Sequence, residues 1–492
     1  MEELKNIYNA NSLSDMPPED FRKFGYQLID WITEYLKDPE KYPVLSNIQP
    51  GEVKNQIQNI PPQKPENFSN VLNDIDTIIM PGMTHWNHPN FMAYFNSTAS
   101  APGILAELLS SAFNINGMLW KSSPASTELE QAMLKWFREM LGFPEDFWGI
   151  IYDTASVSSM HAIAAAREHI NIQTREKGLA GRDDIPRLKL YCSEHAHNSI
   201  DKGALTLGIG LEGLRKIPVD DKFRMIPEKL STAIKEDRKN GWLPFCVVAT
   251  IGTTSTTSVD PVDKVSKICK REKVWLHVDA AHAGVTAMLP EMKSNFAGIE
   301  EADSIVVNPH KWMFVPIDLS VLYTKHPAIL KRAFSLTAEY LKTGVDSEVE
   351  NYMDYGIQLG RRFRSLKLWF IIRYFGVEGI QNILREHLRL GKLFAGWIDS
   401  HAEFERMAMT PFSTVCFRAN PGNLNEKSID ALNEKLMNKV NESGKLFITH
   451  TKLNNKFVIR LVVSGIRTKE SHVRNAWELI QKIYSEIKMD KL

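Results

Sequence analysis

Cysteine is scarce in this chain of 492 residues: Cys192, Cys246, Cys269 and Cys416 are the four present, and they lie far apart. No disulfide framework or zinc spacing can be drawn through them, and three fall in or beside apolar runs like small buried hydrophobes, so a reducing compartment is expected. An excess of charge is missing too. Lys+Arg and Asp+Glu each number 59, the formal net charge is zero and no long run of one sign occurs, which argues against a nucleic-acid or membrane-surface partner. No apolar run approaches membrane-spanning length, and Met1-Glu2-Glu3-Leu4-Lys5 shows no basic segment leading into an apolar one. A soluble cytoplasmic protein is the expectation. The pairs His85/His88 and His195/His197 lack cysteine or carboxylate neighbours at ligand spacing, so no metal site is expected. There is no G-x-S-x-G elbow and no P-loop. Gly208-Ile209-Gly210-Leu211-Glu212-Gly213 has the G-x-G-x-x-G spacing but precedes a strand-like run instead of following one, which makes it a turn.

What is present is an alternation. Short apolar runs at 149–152, 188–192, 245–250, 274–278 and 305–307 are each followed by a polar loop and a helical stretch, the pattern of a mainly parallel sheet covered on both faces. Phe21, Phe24, Leu28, Ile32 and Tyr35 recur at helical spacing ahead of a proline-rich stretch at 41–65, so residues 1–85 read as a helical and extended arm that needs a partner. Residues 86–380 form the large domain and 381–492 a small α+β domain, with strands near 414–418 and 456–464 and a last helix marked by Val473, Trp477, Ile480 and Ile487. The helix at 126–141 opens with acidic residues in its first turn. Residues 337–355 are polar and acidic, and read as a long mobile loop of the kind that closes over active sites.

Loops at the carboxyl ends of parallel strands face one crevice. Lys311 sits there, in Asn308-Pro309-His310-Lys311-Trp312. A lysine held partly out of water loses proton affinity, and a neutral amine condenses with an aldehyde; read alone, it is as well explained as an ordinary strand-end lysine. Asp279 closes the preceding strand and is either an N-cap for Ala280-Ala281 or the acid that faces the pyridine nitrogen of pyridoxal phosphate. Thr154-Ala155-Ser156 opens a helix after a strand, so its amides make an anion site. Thr253 and Thr254 offer hydroxyls to ring or phosphate, and His197 a flat ring for stacking. The aromatics at 86–95 are either core or the wall of an aromatic pocket.

The motifs Asn308-Pro309-His310-Lys311-Trp312, His277-Val278-Asp279-Ala280-Ala281 and 359–367, with 123–130, closely resemble the pyridoxal-phosphate-dependent aromatic L-amino acid decarboxylases of group II, over nearly the whole chain. The resemblance implies an α/β, aspartate-aminotransferase-like fold (fold type I), with a mostly parallel seven-stranded sheet and helices on both faces. It also implies an intertwined homodimer with active sites at the subunit interface. By that resemblance Lys311 carries the cofactor as a Schiff base, Asp279 pairs with the pyridine nitrogen and His197 stacks on the ring. Thr154, Ala155, Ser156, Asn308 and His310 belong to the cofactor site, and Thr254 and Ala281 match cofactor contacts. Tyr340 matches the loop tyrosine that assists protonation of the α-carbon. The substrate wall is expected from Trp86, Tyr94, Ser97, Asn116, Met118, His282 and Gly360. Here the chain departs from the family pattern: Asn96-Ser97 stands where Pro-Thr or Pro-Ser is common, Asn116 and Met118 replace apolar and aromatic residues, and His282 takes a position usually held by tyrosine. Gly360 resembles the small residue that admits indoles in related plant enzymes, so tryptophan or phenylalanine is expected over tyrosine or dihydroxyphenylalanine. An aldehyde synthase of the same family, which commonly carries phenylalanine in place of Tyr340, and a non-catalytic homodimeric relative are the alternatives.

Overall fold

The apolar runs become strands because each alternates two buried faces. In the computed structural model, which describes residues 15–336 and 348–489, β1 (Trp148–Tyr152), β2 (Arg187–Ser193), β3 (Leu214–Ile217), β4 (Trp242–Thr250), β5 (Trp275–Asp279), β6 (Ser304–Val307) and β7 (Ser320–Thr324) form one sheet in the order β1-β7-β6-β5-β4-β2-β3. All neighbours are parallel except β7, which runs antiparallel to both β6 and β1. Tyr191, Val247, Ala249, Leu276 and Val278 point into one hydrophobic cluster, while Leu190, Cys192, Cys246, Val248 and Trp275 point into the cluster on the opposite face. That is the two-residue period of a sheet with no wet face. All four cysteines are free and buried in these and neighbouring layers.

Because β7 is antiparallel to its neighbours, the carboxyl ends of β1, β2, β4, β5 and β6 share one edge. His277 shows which way Asp279 faces. Two residues earlier on the same face, its ring reaches Ser304 Oγ at 2.9 Å and Ser159 Oγ at 3.1 Å, so Asp279 also lies on the side of the helix Ala155–His169. Burial pushes the His277 pKa down to about 4, so it sits there as a neutral hydrogen-bonding group.

The small domain carries the antiparallel sheet β10-β11-β9-β8, built from β8 (Phe404–Arg406), β9 (Thr414–Ala419), β10 (Thr449–Leu453) and β11 (Lys456–Val462), and packed by the helices Glu426–Glu442 and Glu470–Met489. The helix Arg364–Asp399 joins it to the large domain, passing residue 380 without a break and changing direction at Gly376, whose φ of 65° is open to glycine. Arg460 of β11 donates to Thr254 O at 2.6 Å and Ser255 O at 2.8 Å, pinning the loop after β4 to the small domain. Among the described residues no helix is long and apolar enough to cross a membrane.

The expected loop at 337–355 ends differently from its sequence reading. Residues 337–347 lie outside the described residues, but Tyr352–Tyr355 is a buried helical turn. Tyr355 stacks on Trp148 with ring centroids 4.5 Å apart, and its carbonyl accepts from the Tyr152 hydroxyl. The aromatic residues of an otherwise polar segment find partners on β1, which local composition does not disclose. A buried ion pair holds the next stretch: Arg361 donates to Glu130 at 2.7 Å and to Ile151 O at 2.8 Å, with side chains 7 % and 2 % exposed. Glu130→Gln leaves the guanidinium buried without its counter-charge, and the expected cost is about 3–5 kcal/mol, read as a lowered denaturant midpoint.

Candidate active site

Lys311 owes its place to the residue two before it. β6 ends, and Pro309 opens the one-turn helix Pro309–Trp312, where a missing N–H costs nothing because it would have no intrahelical acceptor. The Lys311 N–H is tied to Asn308 O at 3.0 Å, and its side chain borders a cavity of about 230 Å³ on the shared strand edge. The amine makes no hydrogen bond or ion pair among the described residues and lies 5.5 Å from the Phe95 ring centroid. Burial lowers its pKa from the ordinary lysine value, and the Asp279 carboxylate offsets only part of that.

Asp279 borders the same cavity. Its Oδ1 accepts the Ala281 N–H at 3.1 Å within a turn, not as the expected N-cap, since the next helix opens at Ala283 with His282 as its N-cap, and Oδ2 has no partner among the described residues. His197, reached through the loop after β2, accepts the Ser199 N–H on Nδ1 at 3.1 Å, which puts the proton of the neutral ring on Nε2. Its ring is exposed at the cavity mouth. The protein around it lowers its pKa, with Asp279 opposing and Lys311 adding to the effect.

The far corner is the start of the helix Ala155–His169. Thr154 is its N-cap, with extended backbone and no capping side chain, and the first helical bonds run from Val157 and Ser158 back to Thr154 O. The N–H groups of Ala155 and Ser156 therefore have no acceptor among the described residues and sit at the positive end of the helix. Asn308 faces the same cavity, 1 % exposed, with Oδ1 unpartnered and Nδ2 placed 3.3 Å from His310 Nε2. His310 accepts the Leu319 N–H on Nδ1 at 2.9 Å, and burial, then the Lys311 charge, bring its pKa down to about 3. The neutral ring thus carries its proton on Nε2 and needs an acceptor there. Turning the Asn308 amide over supplies one and frees Nδ2 as a donor to the cavity.

An amine displaced towards its neutral form, a carboxylate with an open oxygen and unpaired donors at a helix start match the aldehyde, pyridine nitrogen and phosphate of pyridoxal phosphate. The group fits the residues present.

Of the residues singled out from sequence, Lys311, Asp279, His197, Thr154, Ala155, Ser156, Thr254, Ala281, Asn308, His310 and His282 all border this one cavity. Thr253 does not; its hydroxyl is taken up by Thr256 Oγ1 and the Ser258 N–H. Trp86 and Tyr94 stack on each other nearer the surface, 40 % and 50 % exposed, and Asn96 turns inward to donate to Phe91 O. Ser97 is half-buried and does not border the cavity. Asn116 and Gly360, both exposed, and the half-buried Met118 lie together away from the cavity: Asn116 Oδ1 accepts the Arg361 N–H at 2.9 Å, and Nδ2 lies 3.2 Å from Met118 Sδ. Tyr340 lies outside the described residues. Sequence reading did not single out Ser199, Thr250 and Gly252, and placed Phe95 only at the end of the aromatic stretch 86–95, as core or pocket wall; all four border the cavity. Gly252 left a signal, since a glycine follows the end of β4 where φ is +87° and a Cβ would meet that of Ala283 at 2.7 Å.

The fold and cavity define a pyridoxal-phosphate enzyme of fold type I, and comparison with known proteins narrows the class. The pyridoxal-dependent decarboxylase conserved domain matches residues 50–420; the chain belongs to that family of carboxy-lyases, among the aromatic amino acid decarboxylases of group II. It is 37 % identical over 483 residues to tyrosine decarboxylase 3 of Petroselinum crispum, covering 95 % of this chain and 92 % of that protein. Phenylacetaldehyde synthase of a Rosa hybrid cultivar is 36 % identical over 496 residues, covering 97 % and 96 %. A crystal structure of Oryza sativa TDC with PLP and tryptamine superposes with a TM-score of 0.93 at 34 % identity, over 96 % of this chain and 99 % of that one.

The lowered pKa of Lys311 has a consequence for the cofactor-free protein. Between the folded value and the higher unfolded one the unfolded chain binds more protons, so this group's contribution to stability rises with pH across that window and is unfavourable below it. Lys311→Met removes the buried charge, and the expected result is a higher Tm than wild type for the cofactor-free protein at pH 7.

Proposed function

We propose that this chain converts an aromatic L-amino acid to the arylalkylamine and carbon dioxide. The observation that carries the reading is the convergence of Lys311, Asp279 and the unpaired amides of Ala155 and Ser156 on one cavity. Bound pyridoxal phosphate supplies an electron sink for the charge left on the α-carbon when carbon dioxide departs. Lys311, with its amine biased towards the neutral form, would hold the cofactor's aldehyde. Asp279 would hold a proton on the pyridine nitrogen, and His197 would cover the ring. The amides of Ala155 and Ser156 would receive the phosphate, helped by Thr154, Thr254 and a donating Asn308. Tyr340 delivers the proton to the α-carbon.

Tryptophan or phenylalanine is the favoured substrate, with tyrosine and dihydroxyphenylalanine as alternatives. Gly360 supports this, since a Cβ there would meet only Asn116 Nδ2, at 3.8 Å, which leaves width for a bicyclic ring. A second copy of the chain is part of the proposal. The 20-residue helix Pro18–Lys37 buries no residue of its own although it carries Phe21, Leu28 and Ile29, and Leu105, Leu108, Leu109 and Phe113 are exposed along Ala101–Phe113. Pairing would cover these faces and bring Asn116, Met118 and Gly360 to the partner's cavity.

The second reading is an aldehyde synthase, favoured by the phenylacetaldehyde synthase among the relatives; Tyr340 favours the decarboxylase. Incubation with a panel of L-amino acids, followed by mass spectrometry, is expected to give arylalkylamine one carbon dioxide lighter than its substrate, without hydrogen peroxide. Stoichiometric peroxide and aldehyde would establish the synthase instead. Tyr340→Phe is expected to lose amine yield and gain aldehyde; unchanged products remove Tyr340 from its role.

A further inference from the structure

His282 is the one departure from the family pattern that borders the Lys311 cavity, and its surroundings are unusual for a histidine. Its ring is clamped on both faces, parallel to Phe95 with centroids 3.8 Å apart and an interplanar angle of 6°, and parallel to Trp312 at 4.7 Å and 3°. Only the ring edge can therefore reach a ligand. The residue is 1 % exposed, and neither Nδ1 nor Nε2 has a hydrogen-bond partner among the described residues. Two unpaired polar atoms in so buried a place are costly, and native structures keep them where something else completes them.

The charges around the ring indicate the sign of the missing partner. Burial holds the ring neutral, and the groups acting on it are Lys311, Arg460 and His387, all of which further disfavour its protonation. No carboxylate is among them. His387 is itself neutral, with a pKa of about 4, and fully engaged: Nδ1 accepts from Trp312 Nε1 at 2.9 Å and Nε2 lies 3.0 Å from Gly465 O. The Arg460 guanidinium has no acidic partner among the described residues and donates to the carbonyls of Thr254 and Ser255 and the Thr449 hydroxyl. A neutral imidazole always offers one N–H, and with the buried Arg460 guanidinium and no carboxylate among the groups acting on the ring, the complementary ligand group is an anion.

Resting on the reading of the chain as an amino acid decarboxylase, we propose that the edge of His282 donates a hydrogen bond to the α-carboxylate of the bound amino acid. Stereochemistry supports it: the α-amine must reach the space of Lys311 Nζ, and the carboxyl carbon is only two bonds from that amine. The stack on Phe95 and Trp312 fixes the donor's direction without a second hydrogen bond. The contact is made to the substrate carboxylate and vanishes as carbon dioxide leaves, so it contributes to substrate binding more than to the chemical step.

The test is equilibrium binding without turnover, by calorimetry on the holoprotein, with 3-phenylpropionate, its neutral amide 3-phenylpropionamide, and phenethylamine. Wild type is expected to prefer the acid to the amide. His282→Phe, which keeps the stack and removes the donor, is expected to weaken acid binding about tenfold to a hundredfold, as for a charge-assisted hydrogen bond, while phenethylamine changes less than twofold. His282→Tyr keeps a ring and a donor and is expected to recover part of the acid affinity. Equal loss for all three ligands assigns His282 a structural role and overturns the proposal, as does a wild type with no preference for the acid. Should His282→Phe not fold, the acid-over-amide preference of wild type and of His282→Tyr decides. Because none of these ligands is turned over, failure here leaves the decarboxylase reading standing, and failure of that reading appears separately in the product assay.

Discussion

One amine kept out of water organises the site. Lys311 ends in a cavity where it gains no hydrogen bond among the described residues, and where the nearby carboxylate, Asp279, does not restore its ordinary proton affinity. A lysine left so costs stability. The arrangement makes sense when the amine has a covalent partner, and that partner's remaining atoms then answer a carboxylate with an open oxygen, helix amides without acceptors among the described residues and an asparagine amide turned to donate into the cavity.

The sheet makes this convergence possible. Parallel neighbours place the ends of β2, β4, β5 and β6 on one edge, and the antiparallel β7 allows β1 to join them with its helix start. The small domain completes the wall: Arg460 reaches across to the loop carrying Thr254, and Phe95 comes from a segment whose neighbour Met92 hydrogen-bonds to Phe447 O and Val462 N of that domain. The site therefore depends on how the two domains are packed as well as on the strand ends.

Much of this was legible in the sequence. Parallel strands buried on both faces read as continuous apolar runs, so β1, β2, β4, β5 and β6 fall within a few residues of their expected places. β3, Leu-Arg-Lys-Ile, is half-buried and showed only as the strand-like run after the glycine turn, and β10, Thr-His-Thr-Lys-Leu, half-buried too, carries no continuous apolar run. The buried turn at Tyr352–Tyr355 looked like loop because its burial comes from rings on β1. In the site, residues tied to strand ends were found together, Phe95 was read only as one of several aromatics that could line core or pocket, and the half-site around Asn116 and Gly360 depends on long-range packing that no local spacing encodes. His282 was noticed as a departure, but its clamped and unpartnered ring belongs to the structure alone.

The account stands on Lys311 as the residue that binds the cofactor covalently. The most direct measurement is borohydride reduction of the holoprotein, followed by proteolysis and mass spectrometry of the peptides. The account predicts one modified peptide, containing Lys311 and carrying the mass of the reduced cofactor. Modification at another lysine, or none, would contradict it.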